Sequence, residues 1–210
     1  MTRRTVLLAA LTFCIGAAPA WHGPVADGSA RTAVLAPATY EIDRAHSQVS
    51  FKIKHLGIST VTGRFKDFSG SIVFDPQNPG ASRATAAIRA ASIDTDNERR
   101  DNHLRSADFF EVERYPDIAF AGNRLRRAAG GKYQLDGTLS MHGVTRPITL
   151  VVEHVGSARG PDGKARVAFN ATGTLDRTAY GLTWNKAVEG GMLVGTDVQI
   201  QLELEAVQKD

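Results

Sequence analysis

The chain has 210 residues, 42% apolar and 22% charged, an ordinary globular balance that excludes collagen-like and wholly disordered chains. Its formal net charge is +3, and without Arg3 and Arg4 the balance is 23 basic to 22 acidic residues, so charge makes no case for nucleic acid. The single cysteine, Cys14, lies in the N-terminal segment.

Residues 1–20 are expected to be a cleaved signal peptide. Arg3 and Arg4 form a positive start, Thr5 to Ala17 is an uncharged apolar stretch, and Ala18-Pro19-Ala20 is a small-x-small cleavage site. The apolar run is shorter than the ~20 residues of a membrane span. Thr2-Arg3-Arg4-Thr5 fits a loose twin-arginine pattern, with an ordinary export signal as the alternative. Phe13 before Cys14 argues against a lipoprotein. The expected location is the periplasm. Loss of Cys14 with the signal leaves no thiol, which removes cysteine nucleophiles, zinc–thiolate sites and redox dithiols. Residues 21–37 are rich in Ala, Gly, Pro and Ser and read as a flexible leader. Residues 38–210 read as one domain.

From Ala38 onward apolar and polar residues alternate. Val49, Phe51 and Ile53 interleave with Ser50, Lys52 and Lys54. Val198, Ile200, Leu202 and Leu204 interleave with Gln199, Gln201 and Glu203. Period two means antiparallel strands with one buried and one wet face. Turn signals such as Asp75-Pro76 and Gly160-Pro161-Asp162-Gly163 divide the runs. Eight strands are predicted, near 47–55, 61–74, 84–93, 117–125, 132–141, 145–155, 165–175 and 196–207, which suit a closed barrel or a sandwich. Between the third and fourth, Thr95-Asp96-Asn97-Glu98 matches a capping box, so a short helix is expected over Arg99–Ser106, lying across one mouth as a lid with Phe109 and Phe110 docked beneath. A barrel of this size is either filled or holds one small ligand. Gly137, Ala171, Gly173, Ala84, Ala86 and Ala87 leave room for a cavity, or else mark tight bends and close strand packing.

A set of short motifs recurs in a specific order: Tyr40-Glu-Ile-Asp43-Arg-Ala-His46-Ser47, Gly63-Arg64-Phe65-Lys66-Asp67-Phe68, Arg100-Asp101-Asn102-His103-Leu104, Phe109-Phe110, Gly143-Val-Thr145-Arg146-Pro147 and Asp176-Arg177. Through them the chain resembles the YceI-like family of polyisoprenoid-binding proteins from about Tyr40 to Val207. The resemblance implies an all-β fold: an eight-stranded antiparallel β-barrel similar to lipocalins. It also implies an apolar pocket for a polyisoprenoid or another amphiphilic chain, such as an isoprenoid quinone or prenyl phosphate.

A carrier of that kind needs an apolar sleeve and polar groups at its mouth. Burial of the tail at ~0.8 kcal/mol per methylene supplies most of the affinity. Sleeve candidates are Phe51, Phe65, Phe68, Phe74, Phe120, Leu139, Met141, Phe169 and Trp184, with plain core packing as the alternative role. Head-group candidates are Arg99, Arg100 and His103 on the helix, where guanidinium and imidazole groups suit a pyrophosphate, with Asp94 and His46 as further polar candidates. A solvated helix face is the alternative. The loop Tyr180–Asn185 either contacts ligand or membrane at the mouth or is a turn anchored by Trp184. His46, Ser47 and Asp94 do not form a nucleophile-elbow pattern, so no catalytic residue is expected. His46, His55, His103, His142 and His154 lack metal-ligand spacing, so neither metal nor cofactor is expected. The reading is a non-enzymatic carrier, monomeric or homodimeric, with transient membrane contact. An enzyme acting on a lipid or quinone, or a filled barrel that binds a protein, stays open.

Overall fold

Alternating side chains set each strand, and closure of the sheet removes the edges that open β-structures must protect. The structure, a computed structural model, describes residues 37–189 and 191–209. The signal-peptide and leader readings lie outside the described residues apart from Pro37. The first three barrel strands are each in two parts. β1 (Ala38–Ile42) and β2 (Gln48–His55) flank a kink at Arg44–His46, where Asp43 accepts the Ala45 N–H at 2.9 Å. β3 (Ser59–Phe65) and β4 (Phe68–Phe74) are broken at Lys66–Asp67, so the single strand predicted at 61–74 is corrected to two. β5 (Arg83–Arg89) and β6 (Ile93–Asp94) are broken at Ala90–Ser92, and the strand predicted at 84–93 is corrected likewise. After α1 (Glu98–Arg105) come β7 (Asp117–Arg127), β8 (Tyr133–Met141), β9 (Val144–Arg159) and β10 (Ala165–Asp176). A small hairpin, β11 (Ala187–Val188) and β12 (Gly191–Met192), leads into β13 (Val194–Gln208).

The ring runs β1–β4–β5–β7–β8–β9–β10–β13, antiparallel throughout, and β1 closes it on β13 with Tyr40 opposite Gln208 and Ile42 opposite Ala206. β2 continues along β13 beyond β1, with Phe51 opposite Ile200. β3 pairs with β2, and β6 with β3. The chain therefore forms a closed eight-stranded antiparallel barrel with one short helix. β7 pairs with β5 while β6 pairs with β3, and the chain between β6 and β7 carries α1.

The helix starts at Glu98, one residue before the expected Arg99 and two after the start that Thr95 as N-cap would set. Asn97 is the N-cap and accepts the Arg100 N–H at 3.0 Å. Thr95 is instead held by buried Asp101, whose Oδ1 accepts both its N–H and its hydroxyl. Arg105 donates to the carbonyls of Ala91 and Ile93 at 2.8 and 2.7 Å, which ties the end of the helix to the β5–β6 break.

The interior is packed unevenly. At the end holding the N-terminus of β1, Tyr40, Phe74, Val167 and Ala206 are no more than 1% exposed. Phe74, His154 and Phe169 stack there with ring centroids 5.0 to 5.2 Å apart. On the helix side Ala90, Ile93, Tyr180 and Leu182 form a second buried cluster, while along β2 and β13 Phe51, Ile53, Ile200 and Leu202 point inside yet are only half-buried. Gly137 marks close strand packing rather than room: a Cβ there would meet the Ala121 carbonyl at 2.5 Å. Ala84, Ala86 and Ala171 do border open space, while Ala87 faces out.

Candidate functional site

The half-buried inward residues border a cavity of about 650 Å3 inside the barrel. That volume lies within the roughly 300–1,000 Å3 of small-molecule sites. Side chains filling it to ordinary interior density would bury more apolar surface and so add stability. Fold stability alone would favour filling it.

All nine sleeve candidates line the cavity: Phe51, Phe65, Phe68, Phe74, Phe120, Leu139, Met141, Phe169 and Trp184. They come from both ends of the barrel. Phe74 and Phe169 form the upper side of the packed end, and Phe51, Phe65 and Trp184 stand near the helix. Gly63 lets the Phe51 ring lie flat on its neighbour strand, since a Cβ there would sit 2.3 Å from Phe51 Cζ.

The polar lining has one sign. Lys54, Arg83, Arg99, Arg100 and Arg177 border the cavity, and no Asp or Glu does among the described residues. Lys54, Asn97 and Arg99 are exposed, so the cavity meets solvent between the end of β2 and the start of α1. Arg99 forms no ion pair or side-chain hydrogen bond among the described residues. Arg100 spends Nε and Nη2 on the Thr95 hydroxyl and carbonyl, both at 2.7 Å. His103 is packed edge-on against Trp184 and Phe109, at 4.8 and 5.1 Å between centroids, and its Nε2 lies 2.8 Å from Asp108 Oδ2. The imidazole thus joins helix and mouth loop, and Leu104, Phe109 and Phe110 fill the space beneath.

His46 and Asp94 are not among the cavity-lining residues. His46 is exposed and pairs through Nδ1 with Asp43 at 2.8 Å; that hydrogen bond and the Asp43 charge raise its pKa. Asp43, His46 and Glu205 bring their ligand atoms within 4.8 Å of one another, but Asp43 already serves the Ala45 N–H and His46, and Glu205 serves Arg166 at 3.2 Å. Ser47 exchanges hydrogen bonds with the backbone of Glu205. Asp94 fastens β6 to the break after β3. The Lys66 ammonium, the Asp96 N–H and the Arg64 guanidinium hold its carboxyl far below the usual carboxylate range.

Arg177 is a further cavity residue, outside the candidates expected from sequence. It is 3% exposed and lies against the cavity. Its guanidinium donates to the carbonyls of Gly195 at 2.8 Å and Trp184 at 2.9 Å, and also to that of Leu182. Burial lowers its pKa, and no carboxylate forms an ion pair with it among the described residues. Asn185 works beside it: its amide donates to the Val194 carbonyl at 2.7 Å and its oxygen accepts the Val194 N–H at 3.0 Å. These two side chains hold the rim loop in place. The loop is a turn anchored in the core through Tyr180, 3% exposed, and it also presents Trp184 to the cavity. The Asp176-Arg177 pair was a sequence signal, but nothing local marks Arg177 as buried.

The YceI-like domain model matches residues 40–206. A UPF0312 protein of Photorhabdus laumondii is 40% identical over 147 residues, 70% of this chain and 76% of that protein. The crystal structure of the Campylobacter jejuni YceI protein superposes with a TM-score of 0.65 at 37% identity, covering 80% of this chain and 96% of that one. A polyisoprenoid binding domain from Saccharophagus degradans shares the fold, with a TM-score of 0.60 at 19% identity over 82% of this chain and 99% of that one.

Proposed function

This chain belongs to the YceI-like family, and we propose that its barrel carries one amphiphilic isoprenoid lipid, with the tail in the cavity and the head at the helix-side mouth. The observation that carries this reading is the apolar cavity of about 650 Å3 whose charged lining is cationic only. An apolar tail gains ~0.8 kcal/mol per methylene on leaving water. A head with acceptor oxygens, a prenyl phosphate or the carbonyls of an isoprenoid quinone, suits Arg99, Arg100 and Lys54. A phosphate takes charge-assisted hydrogen bonds from guanidinium groups, the stronger kind. The isoprenoid class is also what the Saccharophagus degradans domain of the same fold is named for.

Nothing in this arrangement requires catalysis. Among the described residues no carboxylate lines the cavity, and His46, Ser47 and Asp94 are each committed to partners away from it. The charged start, apolar stretch and small-x-small end of residues 1–20 support export to the periplasm. The test is mass spectrometry of the organic extract of protein purified from its native host. One isoprenoid lipid or quinone per chain is expected. An empty extract, with no uptake of added isoprenoid, would overturn the carrier.

A further inference from the structure

Beside the cavity mouth two hairpin tips stand together. In the three-residue β2–β3 turn, Leu56–Ile58, Leu56 and Gly57 have φ 54° and 71°, and the Ile58 N–H donates to the His55 carbonyl at 3.2 Å. This left-handed pair is the type I′ pattern, which favours Asn, Asp or Gly. Leucine at the first position is unfavourable for the backbone, and its side chain is 43% exposed, so folding gains little from it. Ile58 beside it is 83% exposed, and Met192 on the β11–β12 hairpin is 51% exposed. The Leu56 N–H donates to the Leu193 carbonyl at 2.9 Å, which joins the two tips. Lys54, His55, Leu193 and Val194 on the same tips line the cavity, so the apolar tips adjoin its opening.

Charge surrounds these apolar groups. Lys52, Lys54, Lys186 and Arg99 form no ion pair among the described residues, and Glu189 is the single acid on the two hairpins between residues 48–65 and 187–192. Aliphatic side chains on narrow tips, flanked by free ammonium groups, suit a fluid surface that opens around them and carries negative headgroups. We propose that this paired tip, Leu56, Ile58 and Met192 with Lys54 and Lys186, is a foot that docks the barrel mouth on an anionic phospholipid bilayer. The foot deepens the carrier reading and rests on it for its purpose: a lipid would pass between bilayer and cavity without crossing water. Binding to the bilayer combines burial of the three apolar side chains with attraction between ammonium and phosphate, the same two terms that hold amphipathic segments at membranes.

The test uses the chain from Pro37 onward, whose barrel has its own core, so that the apolar N-terminal stretch takes no part. Co-sedimentation is measured with phosphatidylcholine vesicles, with and without phosphatidylglycerol. Binding is expected to phosphatidylglycerol vesicles and to weaken as salt screens the charges. Leu56→Asn combined with Ile58→Ser should lower it by at least about tenfold, from the lost apolar burial. Asn suits the left-handed position, so melting temperature should hold or rise. Lys186→Glu should weaken binding only where phosphatidylglycerol is present. A double variant that binds like the unaltered chain would overturn the foot. So would an unaltered chain that ignores both vesicles, or one that self-associates through these tips in sedimentation. Isoprenoid uptake from detergent micelles, measured on the same preparations, separates the two ideas. Uptake without vesicle binding discards the foot alone, and vesicle binding without uptake upholds the foot and discards the carrier.

Discussion

At one end of the barrel Tyr40, Phe74, Val167 and Ala206 meet with at most 1% exposure; around the cavity, Phe51, Ile53, Ile200 and Leu202 point inward and stay half-buried. Both regions use the same alternating strands; β10 and β13 run through both. What differs is how much side-chain volume arrives from strands far apart in sequence. Three rings, Phe74, His154 and Phe169, converge in the packed end, whereas small Ala86 faces the cavity. Alternation decides which side chains point in. The sum across eight strands decides whether they touch.

The contrast can be broken by mutation, beginning with the largest effect. Phe74→Ala should destabilise the fold by about 3–5 kcal/mol, the usual loss for a packed aromatic, and Phe51→Ala by less than half of that, since one side of its ring already faces a void. Chemical denaturation of the two variants compares them directly. Equal losses would mean that the two regions are packed alike.

Arg177→Met should lose about 3 kcal/mol, because three rim carbonyls lose their donor at once. Hydrogen exchange should rise between Leu182 and Val194 before it rises elsewhere. Protection unchanged there would show that the guanidinium does not hold the rim.

The same substitution in the two regions is a sharper comparison. Ala206→Leu adds bulk where exposure is 0% and should be unfavourable by roughly 1–3 kcal/mol. Ala86→Leu adds the same atoms beside the cavity and should be near neutral for stability while reducing isoprenoid uptake. Thermal melts with and without ligand read both effects.

Smaller effects depend on pH. Burial lowers the pKa of His154, and its Nε2 has no hydrogen-bond partner among the described residues. Its folded value lies below the unfolded one, so its neutral form is favoured in the fold. The unfolded chain takes up the proton first as pH falls below ~6.5, and stability declines from there. His154→Phe should raise stability by about 1 kcal/mol at neutral pH and flatten that decline; a slope that persists would place its origin elsewhere. Asp94 has the opposite charge and the same direction of loss. Its depressed pKa contributes stability above ~4 that fades as pH falls through the folded value. Asp94→Asn should lower the melting temperature at neutral pH, with the gap closing in acid.

Much of the fold was legible because period-two alternation is local. The breaks in the first strands had a signal too. Phe65 and Phe68 are both buried three residues apart, as are Ala90 and Ile93, and a continuous strand cannot turn such a pair to one face. β1 is five residues long with Tyr40 as its one buried side chain, too short for a pattern. In the capping box, Thr95 and Asn97 are both good caps, and the choice fell to Asn97 because buried Asp101 claims Thr95. The sleeve was legible as apolar residues of one parity. The mouth was less so. Arg100 and His103 share a helix with Arg99, yet each has partners that the local sequence does not reveal: the Thr95 backbone for one, Trp184 across the mouth for the other. Arg177 and Lys54 join the lining only through folding.

The hollow barrel is tested most directly by native mass spectrometry of the chain from Pro37 with an added prenyl phosphate, beside the Ala86→Trp variant. A carrier gives one ligand mass per chain, lost in the variant while its fold is kept. The bare mass alone for the unaltered chain, or equal loading of the variant, would contradict a lipid held in the cavity.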